Sequence, residues 1–144
     1  DRPAPLLMDV TPLALGLETA GGYVQHLVNR NAPIPTEKTR VFSTARDDQT
    51  DVEVRICQGD SNLYKDNQAL GAITLTGLRK ARRGEIRIEV TFMIDASGIL
   101  DVKATDLDTR HAQALRIALR GGIDQADVDQ MRQRQERDLF PAQR

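Results

Sequence analysis

Apolar and polar residues alternate along several short segments of the chain. In "IRIEVTFMI" one face would carry Ile86, Ile88, Val90, Phe92 and Ile94. A period of two predicts a half-buried antiparallel strand. "DVEVRICQG" follows the same pattern, and its apolar face would carry Val52, Val54 and Ile56. The opposite, polar face of that segment would carry Glu53, Arg55 and Cys57.

Turn residues separate these segments and predict hairpins. "DASG", residues 95–98, leads into "ILDVKATD", and Gly98 supplies the backbone freedom that a tight hairpin requires. Further strands are predicted near 23–29 and 37–44, on either side of a proline-containing loop at 30–35. "QALRIAL" predicts another, with inward residues Leu115, Ile117 and Leu119. Short strands with one polar face predict a sandwich of two antiparallel, roughly four-stranded sheets.

The pattern changes after Gly121 and Gly122. Asp124 is a suitable N-cap, and the following residues predict one helix over about 125–138. Its apolar stripe is narrow and consists of Val128, Met131 and Leu139. We therefore expect a mainly β fold, an antiparallel sandwich followed by one C-terminal α-helix, which either leans on the sandwich edge or lacks partners that the longer protein would supply.

The start of the chain contains one segment that alternates and one apolar run that does not. In "TPLALGLET" small or polar residues alternate with Leu13, Leu15 and Leu17, which predicts a strand. The preceding run, Leu6, Leu7 and Met8, does not alternate, and the predicted sandwich gives it no evident place. Because the chain begins with Asp1 rather than methionine, we expect it to be a piece of a longer protein.

Composition excludes several classes of partner. The 20 basic and 21 acidic residues give a net charge of −1, which argues against nucleic acid. Two Tyr, three Phe and no Trp leave few stacking platforms for bases or sugars. No segment is apolar enough to predict a membrane span or a signal peptide. With Cys57 as its single cysteine, the chain is expected in the reducing cytoplasm.

The sequence offers no catalytic or metal-binding pattern. His26 and His111 have no nearby Cys or carboxylate at metal-ligand spacing, and a solvent-facing side chain is expected for each. Cys57 has no motif around it that would make it a nucleophile. "RDDQTD", residues 46–51, lacks the spacing of a calcium loop. The basic cluster "GLRKARRGE", residues 77–85, is expected to be a solvated loop, and contact with phosphate or an acidic partner is the alternative. We therefore predict no enzyme activity, no cofactor and no metal for these 144 residues.

The order of the motifs resembles one known family. "LLMDVTPLALGLETAGG", "NAPIPTEKTRVFSTARDDQTDVEVRICQGD", "DNQALGAITLTGL" and "RRGEIRIEVTFMIDASGILDVKATD" follow one another in the chain. Together they resemble the substrate-binding region of the DnaK-type, 70-kDa heat shock protein chaperones, over about residues 5–138. The resemblance implies a molecular chaperone domain, made of a β-sandwich with a peptide groove at one end, that holds extended apolar segments of unfolded polypeptides.

The resemblance also implies a domain organisation and partners. Residues 1–10 would be an interdomain linker, 11–120 the peptide-binding sandwich, and 121–144 the start of a truncated helical lid. A separate N-terminal ATPase domain would bind ATP and Mg²⁺, and its nucleotide state would be coupled to the groove through the linker. A J-domain co-chaperone and a nucleotide-exchange factor would serve the full-length protein. The linker run Leu6-Leu7-Met8 or the C-terminal "DLF" could also enter the groove of a neighbouring molecule.

Carried over position by position, the resemblance implies a set of site residues. The central apolar pocket would be lined by Leu17, Phe42, Val52 and Val54, although periodicity alone cannot separate pocket from core. Contacts with the peptide backbone and support of the loops would come from Thr19, Ser43 and Gln49. Charged residues that latch the lid would be Asp47 and Arg83. Residues of the linker or of coupling to the ATPase domain would be Leu6, Leu7, Met8, Asp9, Arg30 and Pro35.

Some positions depart from the family pattern. Ala20 and Ala45 match the pair that arches over bound peptide, where the family usually has at least one bulky side chain. We therefore expect a more open groove that releases peptide faster, with Tyr23 partly refilling the arch. Pro5, Met93 and "KARRG" also differ from the family pattern.

Two other functions fit a β-sandwich. A specialised relative could hold one fixed partner or serve as a regulatory scaffold, and it should bind few unrelated peptides. A sandwich enzyme would need a His, Cys or Ser constellation that this sequence lacks. A carbohydrate-binding sandwich is disfavoured by the scarcity of aromatic residues.

Overall fold

The computed structural model describes residues 10–119 and 139–141, and it consists of two packed antiparallel sheets. The strands are β1 (Leu15–Thr19), β2 (Tyr23–Val28), β3 (Thr36–Thr44), β4 (Asp51–Gln58), β5 (Gln68–Thr76), β6 (Arg87–Ile94), β7 (Ile99–Asp106), β8 (Ala112–Ala118) and β9 (Leu139–Pro141). A short 3-10 turn, Tyr64–Asp66, lies between β4 and β5.

Between β1 and β8 the chain crosses from one sheet to the other three times, on entering β3, β4 and β6. One sheet has the order β2-β1-β4-β5, and the other has the order β8-β7-β6-β3-β9. Each has four longer strands, and β9 adds a three-residue strand to the edge of β3. The predicted sandwich of two roughly four-stranded antiparallel sheets is confirmed.

The core follows the alternation in the sequence. Along β6, the buried residues Ile88, Val90, Phe92 and Ile94 alternate with more exposed ones. The predicted hairpin at 95–98 is also present, because the Asp95 carboxylate accepts hydrogen bonds from the amides of Ser97 and Ile99. Gly98 has a φ of 82°, a left-handed conformation that favours glycine.

The outer face of the first sheet is buried where the sequence predicts solvent. Glu18, Arg55 and Cys57 are almost fully buried, although they alternate with core residues as predicted. The segment after β4 folds over this face, and Cys57 packs with Tyr64 and Ala69 from that segment and from β5. The prediction that Cys57 lies on a polar face is therefore wrong, because the segment that follows β4 covers that face.

Arg55 is buried among carboxylates. Its guanidinium lies 3.7 Å from the Glu18 carboxylate and 3.6 Å from that of Glu53. Burial of a charge is tolerated when opposite charges lie this close. His26, predicted to face solvent, is half-buried, and its Nε2 donates to the Gly59 carbonyl over 3.0 Å.

Two predictions near the ends of the chain are wrong. The alternation predicts that Leu13 shares a buried face with Leu15, but Leu13 precedes β1 and is exposed. Leu139, assigned to the apolar stripe of a helix in a lid region 121–144, lies instead in strand β9 of the sandwich. The predicted helix over 125–138 and the predicted linker residues Leu6, Leu7, Met8 and Asp9 lie outside the described residues.

Candidate peptide-binding groove

One end of the sandwich holds an extended segment of the chain between its two sheets. The amide of Ala20, just after β1, donates to the carbonyl of Leu139 over 2.7 Å. On its other side β9 pairs antiparallel with β3, so that Thr44 lies opposite Leu139 and Ser43 opposite Phe140. We call this space between the end of β1 and the edge of β3 the groove.

The apolar side chain from the groove is part of the hydrophobic core. Leu139 is fully buried and belongs to the same hydrophobic cluster as the predicted pocket residues. Those residues are Leu17, Phe42, Val52 and Val54, each with no exposed surface. The structure therefore brings all four together as core residues, in one cluster with an apolar side chain from the groove.

The turn after β1 is held by local hydrogen bonds. The Thr19 hydroxyl donates to the Tyr23 carbonyl over 3.2 Å, and the Gly22 amide donates to the Thr19 carbonyl over 3.1 Å. Gly21 and Gly22 have φ of 87° and 82°, which β-carbon-bearing residues rarely adopt. This turn fixes the position of the Ala20 amide that faces the groove.

Gln49 holds the loop between β3 and β4. Its side-chain oxygen accepts from the amides of Ala45 and Arg46 over 3.1 and 3.2 Å. Its Nε2 donates to the Asp51 carbonyl over 2.9 Å. Because Gln49 is buried, these bonds close the loop onto the start of β4.

The arch positions carry little side chain. Ala20 is half-buried and Ala45 is buried, so neither extends far across the groove. The ring of Tyr23 lies next to Gly21 but is 57% exposed. That Tyr23 refills the arch stays a prediction.

The residues predicted to latch a lid lie together beside the groove. The Arg83 amide donates to the Asp47 carboxylate over 2.9 Å, and both residues are exposed. The neighbouring Asp48 amide donates to the Ala81 carbonyl, and the Gly84 amide donates to the Thr44 carbonyl. These bonds join the 45–50 loop to the basic loop before β6.

Arg30 and Pro35 lie at the opposite end of the sandwich from the groove. Both are exposed, and the Arg30 guanidinium pairs with the Asp60 carboxylate over 3.0 Å. The other oxygen of Asp60 accepts from the Ala14 amide over 3.1 Å, which ties this loop to the start of β1. The coupling role of Arg30 and Pro35 stays a prediction.

Sequence reasoning missed β9 as part of this chain's own groove. It named "DLF" as a segment that could fill a neighbouring molecule's groove, whereas here Leu139 lies in the groove of its own chain. The sequence signal for β9 is a leucine in a segment that ends at Pro141. The prediction of a helix assigns this leucine to the apolar stripe of the helix and not to a strand.

The described residues show little that could serve catalysis. Within 10–119 and 139–141, no group of three or more His, Cys, Asp or Glu side chains is placed to hold a metal ion. Burial, together with the negative charge of Glu18, raises the pKa of the Cys57 thiol to about 12, which disfavours the nucleophilic thiolate. In the same part of the chain, no helix is long and apolar enough to cross a membrane.

The sequence matches one family model. The model is described as Hsp70 protein and matches residues 4–140, nearly the whole chain. The chain therefore belongs to the Hsp70 family. The match includes both sheets of the sandwich and most of the segment in the groove.

Proposed function

We propose that this Hsp70-family chain is a DnaK-type client-binding domain that holds extended apolar segments of unfolded polypeptides. The observation that carries the proposal is β9, an extended segment that the groove holds by its backbone and by one buried leucine. A client segment would take the same place.

Backbone hydrogen bonds would provide affinity for a client, and the apolar pocket would provide selectivity. The edge of β3 and the Ala20 amide bond the backbone of the segment, and backbone groups are the same in every sequence. The pocket would accept one side chain, and the burial of Leu139 in the same cluster supports a preference for leucine. The groove would therefore accept many sequences that share one central apolar residue, and it performs no covalent chemistry.

The small side chains of the two alanines at the arch favour fast dissociation of a bound client. A larger side chain at Ala20 or Ala45 would bury more apolar surface against a client. That additional burial would stabilise the complex by an amount on the order of 1–2 kcal/mol. We propose that clients leave this groove faster than they leave a groove with a bulky arch.

The rest of the proposal concerns the longer protein. An N-terminal ATPase domain would bind ATP and Mg²⁺, and the linker residues Leu6, Leu7, Met8 and Asp9 would couple it to the groove. Asp47 and Arg83 would meet a helical lid, and a J-domain co-chaperone and a nucleotide-exchange factor would act on the full-length protein in the cytoplasm. Membership of the family supports each of these proposals.

A binding experiment with one pocket variant tests the proposal. Fluorescence anisotropy of labelled Leu-centred heptapeptides, with a panel of unrelated flanking sequences, gives the dissociation constant. We expect binding by the unaltered chain and at least a tenfold loss in Val52→Phe, because the ring would fill the pocket. Val10→Phe is the control, since Val10 is exposed at the other end of the sandwich.

Three other outcomes of the binding experiment would have different meanings. Binding that survives Val52→Phe would place the peptide outside this pocket. No binding of any peptide, up to a concentration of about 1 mM, would contradict the client-binding function. Binding of a single peptide from the panel would favour a specialist with one partner.

A further inference from the structure

We propose that the groove selects clients with acidic residues on the N-terminal side of the central apolar residue, and that Lys80 and Arg82 are the residues that select them. The inference rests on the proposed function and adds the charge of the client to it. Both residues belong to the basic cluster "GLRKARRGE", residues 77–85, which we call the basic loop.

Two backbone hydrogen bonds hold the basic loop beside the groove. The Gly84 amide donates to the Thr44 carbonyl, and the Asp48 amide donates to the Ala81 carbonyl, each over 2.7 Å. Thr44 is in β3, which lies between β6 and β9, and it is opposite Leu139. Because neighbouring strands are about 4.8 Å apart, the backbone at Gly84 is about 10 Å from the backbone of a segment in the groove.

The register of β9 indicates which flank of a client would lie near the basic loop. β9 runs antiparallel to β3, with Pro141 opposite Phe42 and Leu139 opposite Thr44. A client in the same direction, with its central leucine at the position of Leu139, would extend its N-terminal flank beyond Thr44 toward residues 45–50. Its C-terminal flank would follow β3 toward Phe42 and away from the basic loop.

Basic residues outnumber acidic residues at this end of the groove. Residues 45–50 and 79–87 contain six basic and three acidic residues. The charge of Arg79 is compensated, because its guanidinium lies 3.4 Å from the Glu85 carboxylate and 3.2 Å from the Asp108 carboxylate. The surplus of positive charge therefore comes from other basic residues of these two segments.

Lys80 and Arg82 are the residues of the basic loop that provide this surplus. Both are exposed, and neither side chain forms a salt bridge in the part of the chain that the structure describes. The two aspartates that follow Arg46 are matched in number by Arg46 and Arg83. Arg87 adds a further positive charge, but it lies in β6 and not in the loop.

The other side of the groove does not oppose this field. The turn of residues 19–23 contains no charged residue. The Debye length is about 10 Å at 0.1 M salt, which is comparable to the distance between the basic loop and a bound segment. An exposed ion pair changes a binding constant by roughly 1.4- to 5-fold. Two acidic residues in the N-terminal flank should therefore strengthen binding about fivefold.

The test uses three labelled heptapeptides that share a central leucine. One has two Glu in the N-terminal flank, one has two Glu in the C-terminal flank, and the neutral one has Gln at all four of these positions. Fluorescence anisotropy gives each dissociation constant at 0.1 M and 1 M salt. For each chain, the affinity gain is the ratio of the neutral peptide's dissociation constant to that of the acidic peptide.

Two double variants of the 144-residue chain are compared with the unaltered chain. The loop variant carries Lys80→Gln and Arg82→Gln. The control variant carries Lys38→Gln and Lys103→Gln, which remove the same charge from exposed positions on β3 and β7. From the strand register, both control positions lie at least about 15 Å from Thr44, beyond the Debye length at 0.1 M salt.

We expect the N-terminal acidic peptide to bind the unaltered chain and the control variant about fivefold more tightly than the neutral peptide at 0.1 M salt. In the loop variant the gain should fall below about twofold. In the unaltered chain it should fall equally at 1 M salt, where the Debye length is about 3 Å. The C-terminal acidic peptide should gain less than about twofold in every chain.

Failure of the inference and failure of the proposed function give different results. A missing gain, or a gain that persists in the loop variant, would refute the charge selection. The client-binding function would then stand if Val52→Phe still abolishes binding of the neutral peptide. An equal gain from acidic residues on either flank would show that the basic loop attracts any anion, which also contradicts the inference. No binding of the neutral peptide, or acidic-peptide binding that survives Val52→Phe, would refute the client-binding function itself.

Discussion

The Cys57 thiol is buried by residues that lie outside its own strand. It lies on β4 opposite the core face, yet it is fully buried and packs with Tyr64 and Ala69. Burial and the nearby charge of Glu18 raise the pKa of the thiol from 9.0 to about 12, and a hydrogen bond from Asn67 opposes the shift. The neutral thiol is therefore the form that the fold stabilises.

This shift predicts a loss of stability in alkali. Above pH 9 the unfolded thiol releases its proton while the folded one keeps it, up to about pH 12. The folded state then binds more protons, so the free energy of unfolding falls by about 1.4 kcal/mol per pH unit in that range. Urea unfolding at pH 8 and pH 10.5 measures this fall.

The matched variant is Cys57→Ala, which lacks the titrating group. Between the two pH values, the unaltered chain should lose about 2 kcal/mol more than this variant, because roughly 1.5 pH units lie above the unfolded pKa. Equal losses in the two proteins would show that the folded thiol titrates normally.

Strands with a strict alternation are the elements that the sequence predicts best. The pattern of β6 is local, so the alternation in burial from Ile88 to Ile94 can be predicted from the sequence of this strand. The outer face of β1 and β4 could not be predicted in this way, because its burial depends on the segment that follows β4. The place of β9 depends on a pairing with β3, which is far away in the sequence, and a local pattern does not encode such a pairing.

The groove residues show a related limit. Leu17, Val52 and Val54 alternate like any core positions, and the structure places them in the core cluster. Leu139, whose carbonyl accepts from the Ala20 amide after β1, belongs to the same cluster. Periodicity predicts only that these residues are buried, whereas their role as a pocket is implied by resemblance to a family and stays a prediction.

The loop between β3 and β4 depends on one side chain. Gln49→Ala removes the acceptor for two backbone amides and the donor to Asp51. Because loss of a buried hydrogen-bond partner costs about 1–3 kcal/mol, we expect the free energy of unfolding to fall by that amount. Gln113→Ala on the exposed face of β8 is the control and should change it by less than about 0.5 kcal/mol. Equal stability of the two variants in urea would show that the loop does not need Gln49.

Across the whole molecule, the groove and the entry of the chain lie at opposite ends. Val10 bridges to Pro33, and the Thr11 hydroxyl donates to the Asn29 carbonyl, far from the Ala20 turn. Strand β1 joins these two ends directly, from Leu15 to Thr19. A signal from the proposed linker would therefore have to cross the sandwich, and β1 is the shortest covalent path to the groove.

We propose that a client segment lies between the end of β1 and the edge of β3, and photocrosslinking would locate it there. A heptapeptide with a diazirine leucine at its centre is irradiated with the unaltered chain, and the crosslinked residues are identified by mass spectrometry. We expect crosslinks within residues 17–20, 42–45 and 52–54, which disappear when unlabelled peptide is added in excess. Crosslinks on the outer faces of β5 to β8, or crosslinks that excess peptide does not suppress, would contradict it.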